Sequence, residues 1–197
     1  MLRSFVATSF ALIAGSAFAV TAGSAAPDFS VADSNGKTVK LSDYKGKFVV
    51  LEWTNPECPF VRAQYGADAM QGLQKEAAGK DVVWLTVNST NKSSSEFKTG
   101  AQMNAWMKEK NASPKAVLID ATSDTGRAYD AKTTPQMFVV DPAGKIVYAG
   151  AIDDKRSARE SDRKTANNYV RAALNESLAG KPVTVASTTP YGCSVKY

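Results

Sequence analysis

The chain has no histidine and only two cysteines among its 197 residues. The first absence removes the Ser-His-Asp triad, the Cys-His pair and His-ligated zinc or haem iron. The second removes a cysteine-rich metal cluster and a small disulfide-dense scaffold. Thirteen Gly and eight Pro, without a period, are too few for a collagenous or fibrous chain. Neither sign of charge dominates: 24 Lys and Arg stand against 19 Asp and Glu, a formal +5. The charges are scattered, so no basic cluster marks a nucleic-acid surface. There is no Gly-rich phosphate loop and no metal-ligand constellation, so neither a cofactor nor a metal is expected. A hydrophobic share of 44% with 22% charged residues excludes wholesale disorder. The chemistry left is that of Cys, Lys, Arg, Asp, Glu and Tyr.

The first 19 residues read MLRSFVATSFALIAGSAFA. Arg3 precedes an apolar run from Phe5 to about Ala14, and Ala17-Phe18-Ala19 matches a small-residue cleavage pattern. This predicts a secretory signal peptide over 1–19. The run falls short of the roughly 20 residues a spanning helix needs. No later segment is apolar enough to span a bilayer. The mature chain is therefore expected to be exported, without a membrane span, into a compartment where disulfides persist.

Residues 20–26 read as a small-residue linker, 27–180 as one domain, and 181–197 as an irregular tail carrying the second cysteine. Phe29-Ser30-Val31-Ala32 and Thr38-Val39-Lys40-Leu41 flank an Asn35-Gly36 turn and predict a hairpin. FVVLEW over 48–53 is a nearly continuous apolar run, as in a strand covered on both faces. A helix is predicted from about Pro59 to Ala78, with Pro59 suited to its first position. Strands follow at 81–87, 116–119, 136–141 and 146–150. Helices are predicted at 95–110, 123–129 and 166–178, the last stopped by Gly180. The charge run 153–163 is expected to be solvated, and Trp53, Trp84 and Trp106 to be core residues. Strands alternating with helices, then a late hairpin, predict an α/β fold with helices on both faces of the sheet.

Cys58 lies where the 48–53 strand hands over to a helix. The free N–H groups and dipole of a helix N-terminus favour a thiolate there. A thiolate is the nucleophile of disulfide exchange and of peroxide reduction. Arg62, one turn on, would add positive charge, and Glu57 would oppose it. An inert buried thiol is the alternative.

Pro27-Asp28-Phe29, Gly36-Lys37 and LSDYKGKFVVLEW resemble the opening of the redoxin group. That group is the alkyl hydroperoxide reductase/thiol-specific antioxidant family of the thioredoxin-like superfamily. Asn55-Pro56-Glu57-Cys58-Pro59-Phe60-Val61 resembles the active-site loop of a peroxiredoxin-like subgroup. Thr133-Thr134-Pro135 with QMFVVDPAGKIVYAG, Asp153-Asp154, the segment 178–183 and Tyr191-Gly192-Cys193-Ser194 resemble its later half. The resemblance implies a thioredoxin-like fold, with a central mixed sheet preceded by the N-terminal hairpin. It also implies a cis Pro135 that holds Thr134 beside Cys58, and export to a bacterial periplasm.

The chain departs from its relatives in four places. Val61 replaces the second cysteine of Cys-x-x-Cys, so no disulfide forms within the loop. Asn55 stands where peroxiredoxins carry Thr or Ser, with Thr54 one residue away. Pro135 occupies the nearest position to the peroxiredoxin Arg, leaving Arg62 and Arg127 as replacements. Thr133 stands where many relatives have a Cys, which leaves Cys193 as the one intramolecular partner for Cys58. Two readings stay open. In one, Cys58 attacks a peroxide or disulfide, Cys193 resolves, and a thiol reductant or disulfide-exchange protein is the partner. In the other, a structural Cys58–Cys193 bridge staples a binding or scaffold protein.

Overall fold

A computed structural model describes residues 20–197; the expected signal peptide lies outside the described residues. Strands β1 (Ser30–Ala32) and β2 (Thr38–Lys40) form the expected antiparallel hairpin, with Val31 opposite Val39. The Asp33 carboxylate closes its turn by accepting the amides of Asn35 and Lys37, each at 2.9 Å.

The main sheet has five strands: β3 (Val49–Trp53), β4 (Val83–Asn88), β5 (Ala116–Ile119), β7 (Gln136–Val140) and β8 (Ile146–Gly150). Their order is β5-β4-β3-β7-β8. The first three are parallel, while β7 and β8 run antiparallel to their neighbours. β3 is central, and all five of its residues are buried, as its continuous apolar run requires.

Side chains alternate across β3 and divide the core in two. Val50 faces helices α1 (Pro59–Gly66), α2 (Ala69–Ala78), α3 (Gly100–Glu109) and α5 (Tyr169–Leu178), through residues such as Tyr65, Leu73, Met103 and Leu174. Val49, Leu51 and Trp53 face the N-terminal hairpin and Tyr129, which follows α4 (Asp124–Ala128). Trp53 packs on Tyr129 and Phe138 at centroid distances of 5.1 and 5.3 Å. Its indole N–H donates to Ser89, which donates to Asp120. Trp53 and Trp84 are core residues as expected, and Trp106 is half-buried.

Three expectations need correction. The helix predicted from Pro59 to Ala78 is two helices. Asp68 takes a left-handed conformation, φ 56°, at the N-cap of α2 and breaks the run. Apolar spacing continues across the break, which is why periodicity alone reads it as one helix. The helix expected from Ser95 begins at Gly100. There Thr99 and Gln102 form a reciprocal capping box that satisfies the first free amides. The charge run 153–163 is not wholly solvated: Asp153 and Arg163, at its two ends, are buried and paired at 2.7 Å. Gln64 on α1 and Tyr191 in the tail also hydrogen-bond to Asp153.

A second buried charge lies under the sheet. The Glu52 carboxylate accepts from Tyr65 Oη at 2.8 Å, Trp84 Nε1 at 2.9 Å and Thr86 Oγ1 at 3.0 Å. Burial outweighs these hydrogen bonds and pushes its pKa up to about 7 from an ordinary 4.5. Tyr65, buried against that carboxylate, is raised well above the usual phenol range.

Two outcomes are expected from these buried charges. Arg163→Met leaves the Asp153 carboxylate buried and uncompensated, and urea titration is expected to show a loss of about 3–5 kcal/mol. Arg156→Ala, on the exposed part of the same run, should change stability by no more than about 0.5 kcal/mol. Glu52 has a folded pKa above its unfolded one, so the native state binds the extra proton between the two values. Its stabilisation is complete below about pH 4.5 and is lost as pH rises through 7. Relative to Glu52→Gln, the wild-type chain should lose about 3 kcal/mol across that window.

Candidate active site

β3 ends at Trp53, and the Thr54 amide extends its ladder by donating to Val87 O at 2.9 Å. The chain then turns through Asn55. The Asn55 carbonyl accepts the Cys58 amide at 3.0 Å, and its side-chain oxygen accepts the Glu57 amide at 2.8 Å. Its side-chain amide donates to Glu96 at 2.7 Å. Asn55 is thus the brace of this loop, a role that an Asn before a Pro at a strand end makes legible in principle.

Cys58 is the N-cap of α1, and Pro59 is its first residue, where a missing N–H costs nothing. The Cys58 backbone is extended, and its carbonyl accepts the Arg62 amide at 2.9 Å. Its thiol does not cap the helix. It turns across to the other segment of the site and donates to Thr134 O at 3.0 Å. Cys58 is 1% exposed. The Thr134–Pro135 bond is cis, as the resemblance implied.

The same Thr134 receives the tail. Strand β6 (Thr133–Thr134) pairs antiparallel with β9 (Cys193–Ser194), and Thr134 lies opposite Cys193. The pairing continues as Val195 N donates to Lys132 O at 3.1 Å. The tail is therefore not irregular at its end but seated on the loop that faces Cys58. Both cysteines are free thiols. Cys193 is half-buried, and its thiol feels the Cys58 sulfur. Burial first, and then that sulfur, push the Cys193 thiol up to about 12.

The other predicted residues are distributed as follows. The hydroxyls of Thr54 and Thr134 are buried and have no hydrogen-bond partner among the described residues. Arg62 turns to its own loop, donating to Pro56 O at 2.7 Å and to Glu57. Lys98 also pairs with Glu57, at 2.6 Å, and that contact leads the causes that hold the Glu57 carboxyl below its usual range. Arg127 lies over the Tyr197 ring, 4.5 Å from its centroid. The structure thus gathers Pro59, Thr134, Pro135 and Cys193 around Cys58, while Arg62 and Arg127 engage other partners. Tyr191, two residues before Cys193, packs edge-on against Phe60 at 5.8 Å. The sequence shows it within the Tyr191-Gly192-Cys193-Ser194 motif but gives it no role there.

The geometry can be set beside known proteins. The chain is 28% identical over 128 residues to the thiol-disulfide oxidoreductase ResA of Bacillus subtilis, covering 65% of this chain and 66% of that protein. It thus spans slightly less than two thirds of that relative. It is 30% identical over 142 residues to the thioredoxin-like protein YneN of Bacillus subtilis, covering 71% of this chain and 78% of that one. The structure of an uncharacterized conserved protein from Geobacillus kaustophilus aligns with a TM-score of 0.78 at 28% identity, over 90% of this chain and 93% of that one. The profile of the AhpC/TSA family matches residues 22–149, a span that holds the Cys58 loop and the cis proline but ends before the tail. A cysteine at the N-cap position of the helix after a central strand, a facing cis-proline loop and this match agree, and the chain belongs to the AhpC/TSA family.

Proposed function

We propose that the chain is an exported thiol-disulfide oxidoreductase, with Cys58 as nucleophile and Cys193 as resolving thiol. The observation that carries this reading is the meeting of both thiols at Thr134, one through its carbonyl and the other through strand pairing. Export rests on the signal-peptide pattern of 1–19, and the bacterial periplasm is the proposed compartment. Among the described residues no helix is long and apolar enough to cross a membrane.

The mechanism follows thiolate chemistry. Deprotonated Cys58 attacks one sulfur of a partner disulfide, and the other sulfur leaves as a thiolate. A mixed disulfide between Cys58 and the partner results. The Cys58 sulfur is then neutral, so one of the causes that raise the Cys193 thiol is gone. Cys193 loses its proton, attacks the Cys58 sulfur and releases the second partner thiolate. The partner gains two electrons and two protons and becomes a dithiol, while Cys58 and Cys193 become a disulfide. A dithiol reductant, oxidised in turn, returns them to thiols. A cleft of about 620 Å³ lined in part by Glu57, Arg62, Lys98 and Trp106 opens beside the loop and gives a partner room to approach.

A second reading takes peroxide as the oxidant. The unpartnered buried hydroxyls of Thr54 and Thr134 favour it, because they hold donors with no other use. Cys58 would attack one peroxide oxygen, the second would leave with a proton as water or alcohol, and Cys193 would condense with the resulting sulfenic acid and release water. The alternative of a structural bridge in a scaffold protein predicts a potential below about −300 mV.

Reduction of a disulfide-bonded peptide should fall to background with Cys58→Ser. With Cys193→Ser it should stop at a mixed disulfide of Cys58 with the peptide, visible by mass. A bridge that opens only on unfolding, or a Cys193→Ser variant that turns over normally, would sink the two-cysteine mechanism. If peroxide is the oxidant, Thr54→Val should slow hydrogen peroxide consumption about a hundredfold, the scale for losing one preorganised donor. It should leave peptide reduction intact.

A further inference from the structure

We infer that Tyr191, held by the buried Asp153–Arg163 pair, is the positioning residue that sets Cys193 against Cys58. The inference rests on the reading of the two cysteines as a redox pair and adds the device that brings them together.

The pair is built from distant parts of the chain. One Arg163 nitrogen donates to both Asp153 oxygens, at 3.0 and 2.7 Å, and to Tyr191 Oη at 2.9 Å. The other donates to the carbonyls of Lys155 and Ser157, at 2.8 and 3.0 Å. The Tyr191 hydroxyl donates in turn to Asp153, and Gln64 on α1 donates to the same carboxylate at 2.7 Å. The Asp153 and Arg163 charges match each other, while Arg163 Nε and Gln64 Oε1 are buried with no partner among the described residues. The site that this creates has one occupant from the tail, the Tyr191 phenol.

That phenol is tied to the reactive helix twice. Its ring edge meets Phe60, two residues after Cys58, and its acceptor Asp153 is bonded to Gln64 on the same helix. From Tyr191 the chain has one residue in which to reach β9. Gly192 makes that step with φ 136°, a conformation that favours glycine, and a Cβ there would lie 1.9 Å from Thr134 O. Tyr191 and Cys193 are thus the two ends of a short, sterically defined link. Anchoring the first at α1 places the second at Thr134, opposite the Cys58 thiol. Phe60, Gln64 and Thr134 lie within the residues that the family match covers, and Asp153, Arg163, Tyr191 and Cys193 lie beyond them.

The test uses the mature chain as wild type, Tyr191→Phe and Phe60→Leu. Each is equilibrated with reduced and oxidised glutathione, and the Cys58–Cys193 disulfide is counted by mass. In that equilibrium the two protein thiols lose two electrons and two protons, and glutathione disulfide gains them as two thiols. In parallel, Cys58 alkylation by iodoacetamide is timed in the same proteins carrying Cys193→Ser, and urea titration follows the fold. Loss of positioning should lower the equilibrium constant for forming the bridge about tenfold, which is roughly 30 mV for a two-electron couple. It should also speed Cys58 alkylation, because the tail no longer covers the thiol. A purely structural tyrosine would move the urea midpoint and leave both thiol measurements at wild-type values, and that result overturns the inference. If the wild type forms no bridge in any glutathione mixture, the redox-pair reading fails by itself. The alkylation rates still decide whether Tyr191 holds the tail over Cys58, and unchanged rates overturn that as well. Should Tyr191→Phe not fold, Phe60→Leu loosens the same ring from the other side and carries the same two outcomes.

Discussion

The backbone of Thr134 is the point on which the site depends. Its carbonyl accepts the Cys58 thiol, and its residue pairs with Cys193. It leads into β7, which begins two residues later beside β3. A side-chain contact at this position could drift with rotamer changes, but a main-chain contact moves only if the sheet moves. β3 and β7 are paired over five residues and every residue of both is buried, so the geometry between Cys58 and Thr134 inherits the rigidity of the core.

The buried charges serve different regions of this scaffold. Glu52 lies beneath the strand that delivers Cys58 and is surrounded by donors from α1, β4 and α2. Its proton exchange falls near neutral pH because burial outweighs those hydrogen bonds. Asp153 and Arg163 instead join α1, the segment after β8 and the tail. The first group lies in the strand that precedes the Cys58 loop, and the second joins α1 to the tail that carries Cys193. Burial and the neighbouring Cys58 sulfur raise the Cys193 thiol to about 12.

Much of the architecture is legible from local chemistry. An apolar run on 48–53 can be satisfied only by cover on both faces, and the structure buries every residue of β3. Asn35-Gly36 needs a hairpin, and Pro59 fits the first helical position. The break at Asp68 escapes notice because apolar spacing continues through it, whereas the interruption is a backbone conformation that Asp tolerates. The start of α3 is set by the Thr99–Gln102 box, a signal visible in the residues but outweighed by the apolar Phe97. The charged segment 153–163 reads as solvent-facing because partners such as Gln64 and Tyr191 lie far away in the chain.

By itself the sequence determined that a cysteine would stand between a buried strand and a helix, that no histidine chemistry was open to it, and that one other thiol existed to pair with it. These conclusions need only neighbouring residues and a count. Tertiary structure alone decided that Asp153 and Arg163 would be buried and that the tail would return to Thr134. Each of those outcomes joins segments through main-chain pairing or a shared desolvated charge. Their energy depends on groups that meet only when the sheet has formed, so no local pattern encodes them.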